Sequence, residues 1–540
     1  MTTTITFPTL SFQQIHAALL DRRELALLDV REEAPFAEGH PLFAANLPVG
    51  RIELEAYSRI PRLDTTIVVV DNGEGLALFA AHRLHQLGYT ALHLLDGGLQ
   101  GWRNAGGEIF IDVNAPSKAF GELVDAQRHT PSLSAPEVKA LLDAKADVVV
   151  LDARRYDEYH TMSIPGSVSV PGAELVLRAR ALAPQAQTRI IVNCAGRTRS
   201  IIGTQSLINA GIPNPVSALR NGTIGWILAG QQLEYGKTQR FADRPLDLPG
   251  SVNHTQAIKS SRAVADRAQV GRTDLNTLAH WRKEPGRTTY CFDSRMPEEY
   301  TAAHLPGFMS TPGGQLVQET DHVAPVRGAR IVLCDDDGVR ANMTASWLAQ
   351  MGWDVHVLDG LQPGHFSEHG HALPLLPPVP PYASTTPHQL AQWLQENAQQ
   401  DNATVLFDFT RSADYVKQHI PGACFALRSQ LAQALVQTPK AQRYVLTCGS
   451  SLLAGYAAGD LQQLTDKPVF VLAGGNAAWS AAGFPLEAGE ENLVSPRIDQ
   501  YRRPYEGTDN KAAAMQAYLD WEYGLVAQLA ADGSHGFFVI

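Results

Sequence analysis

One short pattern occurs four times in this chain of 540 residues. Each copy has an apolar strand ending in Asp, an Arg two or three residues later and then an aromatic residue, as in ALLDVREEAPF, VVLDARRYDEY, YCFDSRMPEEY and VLFDFTRSADY. A second apolar strand follows each copy, and the next position holds Asp71, Cys194, Asp335 or Cys448. The interval from the first Asp to this position is 42 residues in three copies and 40 in the fourth. A repeat of this kind constrains the fold, because every copy must form the same unit.

The short apolar strands alternate with helical stretches such as LALFAAHRLHQLG and SIIGTQSLINAG. This alternation is typical of βαβ units, in which helices cover both faces of a parallel sheet. We therefore predict an α/β fold of four tandem units, each a small parallel β-sheet flanked by helices on both faces. The predicted units span 5–112, 131–240, 270–376 and 383–490. A charged connector is expected at 241–269, and a C-terminal helical tail at 491–540.

Composition restricts the class of protein. The formal net charge is −11 without long runs of either sign, so nucleic acid and anionic membranes are poor partners. The five cysteines form no CxxC pair or Cys/His cluster, which indicates a reducing compartment, no metal site and no cofactor. The N-terminus lacks signal-peptide features, and no apolar run approaches the roughly 20 residues that span a bilayer. We expect a soluble, cytoplasmic protein.

The second unit places a cysteine where chemistry is expected. Its strand ends at Cys194, and the chain turns helical near Ser200. Reactive groups of open α/β sheets lie at the carboxyl ends of strands. Backbone N–H groups, the helix dipole and the guanidinium groups of Arg197 and Arg199 are expected to lower the pKa of this thiol and to hold an anion. The predicted nucleophile is Cys194, and the predicted substrate-binding residues are Ala195, Gly196, Arg197, Thr198, Arg199 and Ser200.

Two chemistries use an activated cysteine in an anion-binding loop. Cysteine phosphatases have an Arg six places after the cysteine, but here the sixth residue is Ser200, and the loop is too short for a phosphate. A smaller loop suits a sulfur atom carried on the cysteine as a persulfide. Asp152 and Arg154, at the end of the preceding strand, are expected to form a charge pair that supports the loop.

These motifs resemble those of the rhodanese family, and the resemblance covers nearly all of residues 5–490. They are the Asp-x-Arg strand end, the turn in MSIPGS and its counterparts, the six-residue Cys loop within CAGRTRS, and the closing Gly-x-x-x-Trp. The resemblance implies four tandem rhodanese-like domains and sulfane-sulfur transfer. The Cys194 thiolate would attack the outer sulfur of thiosulfate, release sulfite and become a persulfide. Cyanide, a thiol or a protein would then accept the sulfur.

The copies differ in ways that bear on this chemistry. Asp71 and Asp335 cannot carry sulfur, so the first and third units are expected to be inactive. Cys334 comes one place too early and should point away from its loop. Cys448 is in register, but its loop CGSSLLA supplies no cation, and its activity stays open. The remaining cysteines, Cys291 and Cys424, are interpreted as packing residues.

Several alternatives stay open from the sequence. Glu158 stands where two-domain thiosulfate sulfurtransferases have an Arg, so the donor is either thiosulfate or a low-molecular-weight persulfide. The leading hypothesis is a rhodanese-type sulfurtransferase; the alternative is a sulfur-relay or scaffold protein that hands persulfide to a partner. A Cys-dependent phosphatase or arsenate reductase is disfavoured by the loop length. A homodimer is one possible assembly.

The tail carries a group of aromatic and basic residues outside the repeat. These side chains could cover a unit boundary, a neighbouring subunit or the active pocket. They are Tyr501, Arg502, Arg503, Tyr505, Trp521 and Tyr523.

Overall fold

The computed structural model describes residues 5–241, 250–397 and 404–540. Residues 242–249 of the predicted connector lie outside the described residues. Four β-sheets built on parallel strands are present, each flanked by helices, which confirms the predicted α/β fold class. Within the described ranges, none of the helices has both the length and the apolar character needed to cross a bilayer.

The first two units and the helix between them have the following elements. The strands of the first unit are β1 (Thr9–Leu10), β2 (Leu25–Asp29), β3 (Ala45–Asn46), β4 (Ile67–Val70) and β5 (Leu92–Leu95). Its helices are α1 (Phe12–Leu20), α2 (Glu33–Ala37), α3 (Ile52–Arg59), α4 (Leu76–Gln86) and α5 (Gly98–Asn104), followed by the linking helix α6 (Ala115–Arg128). The strands of the second unit are β6 (Ser132–Leu133), β7 (Val148–Asp152), β8 (Val168–Ser169), β9 (Arg189–Asn193) and β10 (Val216–Leu219). Its helices are α7 (Ala135–Asp143), α8 (Tyr156–Thr161), α9 (Leu175–Leu182), α10 (Thr198–Asn209) and α11 (Gly222–Leu228).

The third and fourth units follow the linking helix α12 (Val252–Arg267). The strands of the third unit are β11 (Gly271–Thr273), β12 (Thr289–Asp293), β13 (Met309–Ser310), β14 (Val326–Arg327), β15 (Arg330–Cys334) and β16 (Asp354–Leu358). Its helices are α13 (Leu275–Trp281), α14 (Pro297–Ala302), α15 (Gly313–Gln318), α16 (Thr320–Val323) and α17 (Arg340–Gln350). The strands of the fourth unit are β17 (Ala383–Thr385), β18 (Thr404–Asp408), β19 (Cys424–Phe425), β20 (Arg443–Thr447) and β21 (Val469–Leu472). Its helices are α18 (Pro387–Glu396), α19 (Ser412–Lys417), α20 (Leu431–Gln437), α21 (Leu452–Gln462) and α22 (Gly475–Ala481), and the tail contains α23 (Ala512–Asp532).

The sheets share one strand order, which fixes where the loops lie. In the second unit the order is β6–β10–β9–β7–β8, and the third and fourth units repeat it as β11–β16–β15–β12–β13 and β17–β21–β20–β18–β19. In the second unit, Asp152 at the end of β7 lies opposite Asn193 at the end of β9. Cys194 therefore begins its loop at the carboxyl edge of the sheet. The same register occurs in the other units, where Asp29, Asp293 and Asp408 end the equivalent strand.

The first unit departs from the predicted all-parallel sheet. Strand β14 of the third unit pairs antiparallel with β2, with Val326 opposite Ala26. As a result, the first and third units share one apolar core, to which Leu28 and Val69 contribute from one side and Ile331 from the other. The first and third units are therefore packed against each other through a common core rather than being separate along the chain.

The other units join this body by different contacts. Leu207 of the second unit and Met343 of the third belong to one apolar cluster. The fourth unit contacts the first through Arg428, which donates hydrogen bonds of 2.7 and 2.9 Å to the carboxylate of Glu53. The tail helix α23 packs against the linking helix α6, with Leu525 and Ala119 in one buried cluster. This packing lays α23 over the second unit.

Candidate active site

Cys194 lies at the start of a tight loop between β9 and α10. Its carbonyl accepts hydrogen bonds from the backbone N–H of Thr223 at 2.9 Å and from the hydroxyl of that residue at 3.1 Å. Ser200 lies beside its thiol and acts to lower the pKa of the thiol, while the Ser200 hydroxyl donates a hydrogen bond of 2.8 Å to the Arg197 carbonyl. The side chain is 1% exposed. The loop thus holds the sulfur among hydrogen-bond donors and away from bulk water.

The turn that follows β10 closes the loop from the other side. Gly222 has a φ of +53°, and a Cβ at this position would lie 2.4 Å from the carbonyl oxygen of Cys194 and 2.6 Å from that of Gly196. Only glycine permits both this conformation and this approach. Trp226, four residues later, is fully buried in the core of the unit. The closing Gly-x-x-x-Trp motif therefore has a packing role.

Asp152 and Arg154 form a buried ion pair beneath the loop. The Asp152 carboxylate accepts hydrogen bonds from Arg154 Nε at 2.9 Å and Nη2 at 2.8 Å. It also accepts one from the side-chain amide of Asn193 at 2.9 Å, and Asn193 directly precedes Cys194. Arg154 in turn donates to the Met162 carbonyl at 2.6 Å. The pair connects the ends of β7 and β9 and so fixes the starting point of the loop.

Both arginines of the loop are bound to carboxylates. Arg199 donates two hydrogen bonds to Glu158, at 2.7 and 2.8 Å. Burial acts to raise the pKa of Glu158, but the charge and hydrogen bonds of Arg199 outweigh it and lower that pKa to about 2. Arg197 donates to Glu122 of α6 at 2.7 and 2.8 Å, and to Asp125 at 3.0 Å. Arg197 and Arg199, the two cations predicted to hold the substrate anion, therefore also form ion pairs with carboxylates of α6 and α8.

The tail covers this loop. A Cβ on Gly196 would lie 3.1 Å from Cε1 of Tyr518 and 3.2 Å from Oε2 of Glu522, both on α23. Tyr505 and Tyr518 share a buried apolar cluster with Ala195. Tyr505 of the tail therefore lies over the candidate active pocket, whereas Tyr501 packs against an apolar cluster of the first unit. Of the positions that the sequence left open for the tail, its aromatic residues thus occupy both the active pocket and a unit boundary.

Burial by the tail changes the expected acidity of the thiol. Desolvation raises the pKa of Cys194, while the charge of Arg199 and the hydrogen bonds from Ser200 act to lower it. A carboxyl group on α23, Glu522, acts to raise it further. The sequence-based expectation of a lowered thiol pKa is wrong for this closed form, because the tail removes water from the loop.

A second buried charge lies beside the tail. Lys118 of α6 donates a hydrogen bond of 2.7 Å from Nζ to the carboxylate of Asp112. The same Nζ lies 5.9, 5.2 and 5.4 Å from the ring centroids of Tyr505, Tyr518 and Trp521. Sequence reasoning missed Lys118, because it lies in the linking helix outside the repeated motifs. The acidic residues of α6 that bind Arg197 were missed for the same reason.

One known domain family matches each of the four units. The sequence model of the rhodanese-like domain matches this chain at residues 12–105, 134–229, 275–360 and 390–482.

The chain belongs to the rhodanese family.

Some of the solved structures that are similar to this rhodanese match the whole chain, and others match about a fifth of it. A thiosulfate sulfurtransferase from Pseudomonas aeruginosa is 66% identical, with a TM-score of 0.95 over 99% of this chain and 100% of that chain. A protein from Bacillus halodurans is 17% identical, with a TM-score of 0.18 over 21% of this chain and 81% of that chain. A rhodanese-related protein from Thermoplasma volcanium is 20% identical, with a TM-score of 0.17 over 20% of this chain and 100% of that chain.

In the first and third rhodanese units, an Asp side chain occupies the loop that corresponds to the Cys194 loop. In the first, the Asp71 carboxylate accepts hydrogen bonds from the backbone N–H of Gly73 at 3.1 Å and of Ala77 at 3.0 Å. In the third, the Asp335 carboxylate accepts them from Gly338 at 3.0 Å and Ala341 at 2.8 Å. A carboxylate thus takes the position that the thiol of Cys194 has in the second unit. Cys334, one residue before this position, is buried in an apolar cluster with Cys291.

The fourth rhodanese unit has a cysteine but different support. Cys448 follows β20, and its carbonyl accepts a hydrogen bond from the backbone N–H of Asn476 at 2.8 Å. The Asp408 carboxylate is bound by Thr410 and by the Asn476 amide at 2.8 Å, in place of the arginine that Asp152 has in the second unit. Cys448 itself belongs to the apolar cluster of its unit. Burial raises the pKa of the unit's other cysteine, Cys424, to about 11.

Proposed function

We propose that this rhodanese is a sulfurtransferase that moves sulfane sulfur from thiosulfate, or from a low-molecular-weight persulfide, to a thiophilic acceptor through a persulfide on Cys194. The observation that carries the proposal is the loop of the second unit, in which a buried thiol at the carboxyl edge of the sheet lies beside Ser200 at the start of α10. In the first and third units the equivalent donors bind Asp71 and Asp335 instead. The 66% identity to a protein named thiosulfate sulfurtransferase supports the same substrate.

The first half-reaction transfers one sulfur atom to the enzyme. After its proton has left to solvent, the Cys194 thiolate attacks the outer sulfur of thiosulfate. The S–S bond of thiosulfate breaks, its electron pair leaves with sulfite, and a new S–S bond forms on Cys194. A low-molecular-weight persulfide would react in the same way, with a thiolate as the leaving group.

The second half-reaction regenerates the free Cys194 thiolate from its persulfide. Cyanide attacks the terminal sulfur, the S–S bond breaks, and its electron pair stays on Cys194 as a thiolate while thiocyanate leaves. A thiolate acceptor follows the same course and leaves as a persulfide. No cofactor takes part in this balance, because each step exchanges one bond to sulfur for another.

The residues around the loop have separate proposed roles. Arg199 is the cation whose charge acts on the thiol, and it offsets negative charge on the sulfur. Asp152 and Arg154 position the loop through Asn193. Arg197 joins the loop to α6 through Glu122, rather than contacting the sulfur. Access to Cys194 requires a movement of the tail, because the side chain is 1% exposed.

The intact mass of the protein after incubation with thiosulfate tests the proposal. We expect one added sulfur on the wild type and on Cys448→Ser, and none on Cys194→Ser. Cyanide should then remove the sulfur as thiocyanate. No added sulfur on the wild type would reject thiosulfate as the donor, and glutathione persulfide would replace it in the same assay. Sulfur on Cys448 in the Cys194→Ser variant would instead favour the relay.

A further inference from the structure

Glu522 is a buried carboxyl group over the Cys194 loop that the proposed steps do not use. Its Oε1 accepts a hydrogen bond of 2.9 Å from the hydroxyl of Tyr518, one helical turn earlier on α23. Its Oε2 is buried, and no hydrogen-bond partner for it exists among the described residues. This oxygen lies 3.2 Å from the position that a Cβ on Gly196 would take. The carboxyl group is therefore directed at the loop rather than at solvent.

The surroundings of Glu522 favour its neutral form. Burial, together with the negative charge of Glu122, raises the pKa of Glu522 to about 8. Lys118, the Tyr518 hydroxyl and Arg197 act in the opposite direction, but they do not outweigh it. At neutral pH the group is then mostly a carboxylic acid, which can donate a hydrogen bond as well as accept one.

The unpaired Oε2 of Glu522, which is a hydrogen-bond donor when protonated, indicates that a ligand binds between this carboxyl group and the Cys194 loop. A buried polar group without a partner costs about 1–3 kcal/mol, so such groups are rare unless a ligand or water completes them. The loop under Glu522 is the one proposed to hold a sulfur anion. Both arginines of that loop are already bound to carboxylates, Glu122 and Glu158. A neutral donor above the loop would complete the hydrogen bonding of an anion without adding another buried charge.

We propose that Glu522 is a further substrate-contacting residue of the Cys194 site: protonated, its Oε2 hydroxyl donates a hydrogen bond to the sulfur anion in the loop, and ionised, it excludes that anion. The proton stays on Glu522 throughout, so the bond changes at Cys194 are those given above. This inference rests on the proposed sulfur transfer. Its consequence is that a carboxyl group of the tail, outside the rhodanese units, selects when an anion enters.

The pH dependence of sulfur loading tests this role. The rate at which thiosulfate adds sulfur to Cys194 is measured by quenched intact mass between pH 6 and pH 10, for the wild type, Glu522→Gln, Glu522→Ala and the control Asp520→Asn. Asp520 lies on the exposed side of the same helix, where it accepts a hydrogen bond from Gln516. The loading rate also rises with the thiolate fraction of Cys194, so each rate is divided by that of Glu522→Gln at the same pH. For the wild type and the control, this ratio should fall about tenfold for each pH unit above 8, since only the protonated form of Glu522 admits the anion.

Glu522→Gln is the reference, because an amide donates a hydrogen bond at every pH. Its rate at pH 9 should exceed that of the wild type by about tenfold. Glu522→Ala should load about tenfold more slowly than Glu522→Gln at pH 7, because it has no donor. A ratio of the wild-type rate to the Glu522→Gln rate that stays constant from pH 7 to pH 10 would overturn the proposal.

A second readout separates this inference from the proposed function. The ultraviolet absorbance of the Cys194 thiolate, taken as the difference from Cys194→Ser, reports the pKa of the thiol without any substrate. The Glu522 charge opposes thiolate formation, so Glu522→Gln should titrate at lower pH than the wild type and Asp520→Asn. If thiosulfate loads no sulfur at any pH, the proposed donor fails, and this titration decides the matter. A lower midpoint in Glu522→Gln supports a carboxyl group that faces the thiol, and an unchanged midpoint rejects it.

Discussion

The loop of the second unit has the same register as the loops of the first and third units, but it begins with Cys194, whereas they begin with Asp71 and Asp335. In each, the backbone N–H six residues after the residue that begins the loop faces the side chain of that residue: Ser200 after Cys194, Ala77 after Asp71 and Ala341 after Asp335. In the second unit this side chain is a thiol, and in the other two it is an Asp carboxylate. The comparison indicates that the backbone donors of the loop face a side chain that can accept hydrogen bonds in these three copies. Two copies hold an Asp carboxyl group there, and one holds a thiol that can carry sulfur.

In the third unit, the arginine that follows the loop makes contacts between units. Arg340 begins the helix after this loop, and it donates a hydrogen bond of 2.8 Å to Glu174 of the second unit. It also contacts Glu299 and Asp337 within its own unit. The cation of this loop thus joins two units. The arginines of the second unit are likewise paired, but their partners lie around a reactive sulfur.

Exchanging the contents of the loop gives the largest expected effect. Cys194→Asp places the residue of the first and third units in the second, so sulfur loading should fall at least about 1000-fold. The fold should persist, because the new carboxylate can accept the hydrogen bonds from Ser200. Intact mass reports the loading and circular dichroism reports the fold. Cys448→Ser is the control and should load normally; residual sulfur on folded Cys194→Asp would contradict the proposed carrier.

The repeat and its register could be predicted from the sequence, because both depend on local patterns. The interval between Asp152 and Cys194, with its counterparts in the other copies, indicated four units of one fold. The covering of the loop could not be predicted, since it depends on contacts between distant segments. Arg197 and Tyr523, for example, are 326 residues apart and joined by a hydrogen bond of 3.1 Å. The strand β14 has two residues, which is too short to leave a periodic pattern.

The next effect concerns the ion pair that holds Arg199. Glu158→Gln should lower the free energy of unfolding at pH 7 by about 2–3 kcal/mol, since Arg199 holds the pKa of Glu158 well below its ordinary value. The folded-state pKa is the lower one, so this stabilisation is complete above pH 4.5 and is lost as the pH falls toward 2. Urea unfolding at pH 7 and pH 4 measures it, and the difference from wild type should shrink at pH 4.

The matched control is a surface ion pair in the same unit. Asp143 binds Lys139 on α7, and both side chains are largely exposed. Asp143→Asn should change the free energy of unfolding by less than about 0.5 kcal/mol. A Glu158→Gln effect no larger than that of this control would show that the Arg199 pair does not stabilise the loop.

A smaller effect is expected where the tail approaches the loop. Gly196→Ala places a Cβ 3.1 Å from the ring of Tyr518, so this side chain of α23 must move by a few tenths of an ångström. Overpacking of this kind costs about 1–3 kcal/mol. Alkylation of Cys194 by iodoacetamide should become faster, as peptide mass spectrometry would show. Gly449→Ala in the fourth unit is the control, because among the described residues no atom lies within 4 Å of its added Cβ. Equal alkylation rates in Gly196→Ala and wild type would mean that the tail does not limit access.

The smallest effect is expected in the first unit, where the loop occupant is structural. Asp71→Ala removes the acceptor for the backbone N–H groups of Gly73 and Ala77. The free energy of unfolding should fall by about 1 kcal/mol, because water can replace part of the lost bonding. Asp71→Asn keeps an acceptor oxygen and should cost less. Sulfur loading of Cys194 should not change in either variant. A loss of loading in Asp71→Ala would mean that the carboxylate in the first unit contributes to the chemistry of the second, and the comparison between an occupied and an open loop would then fail.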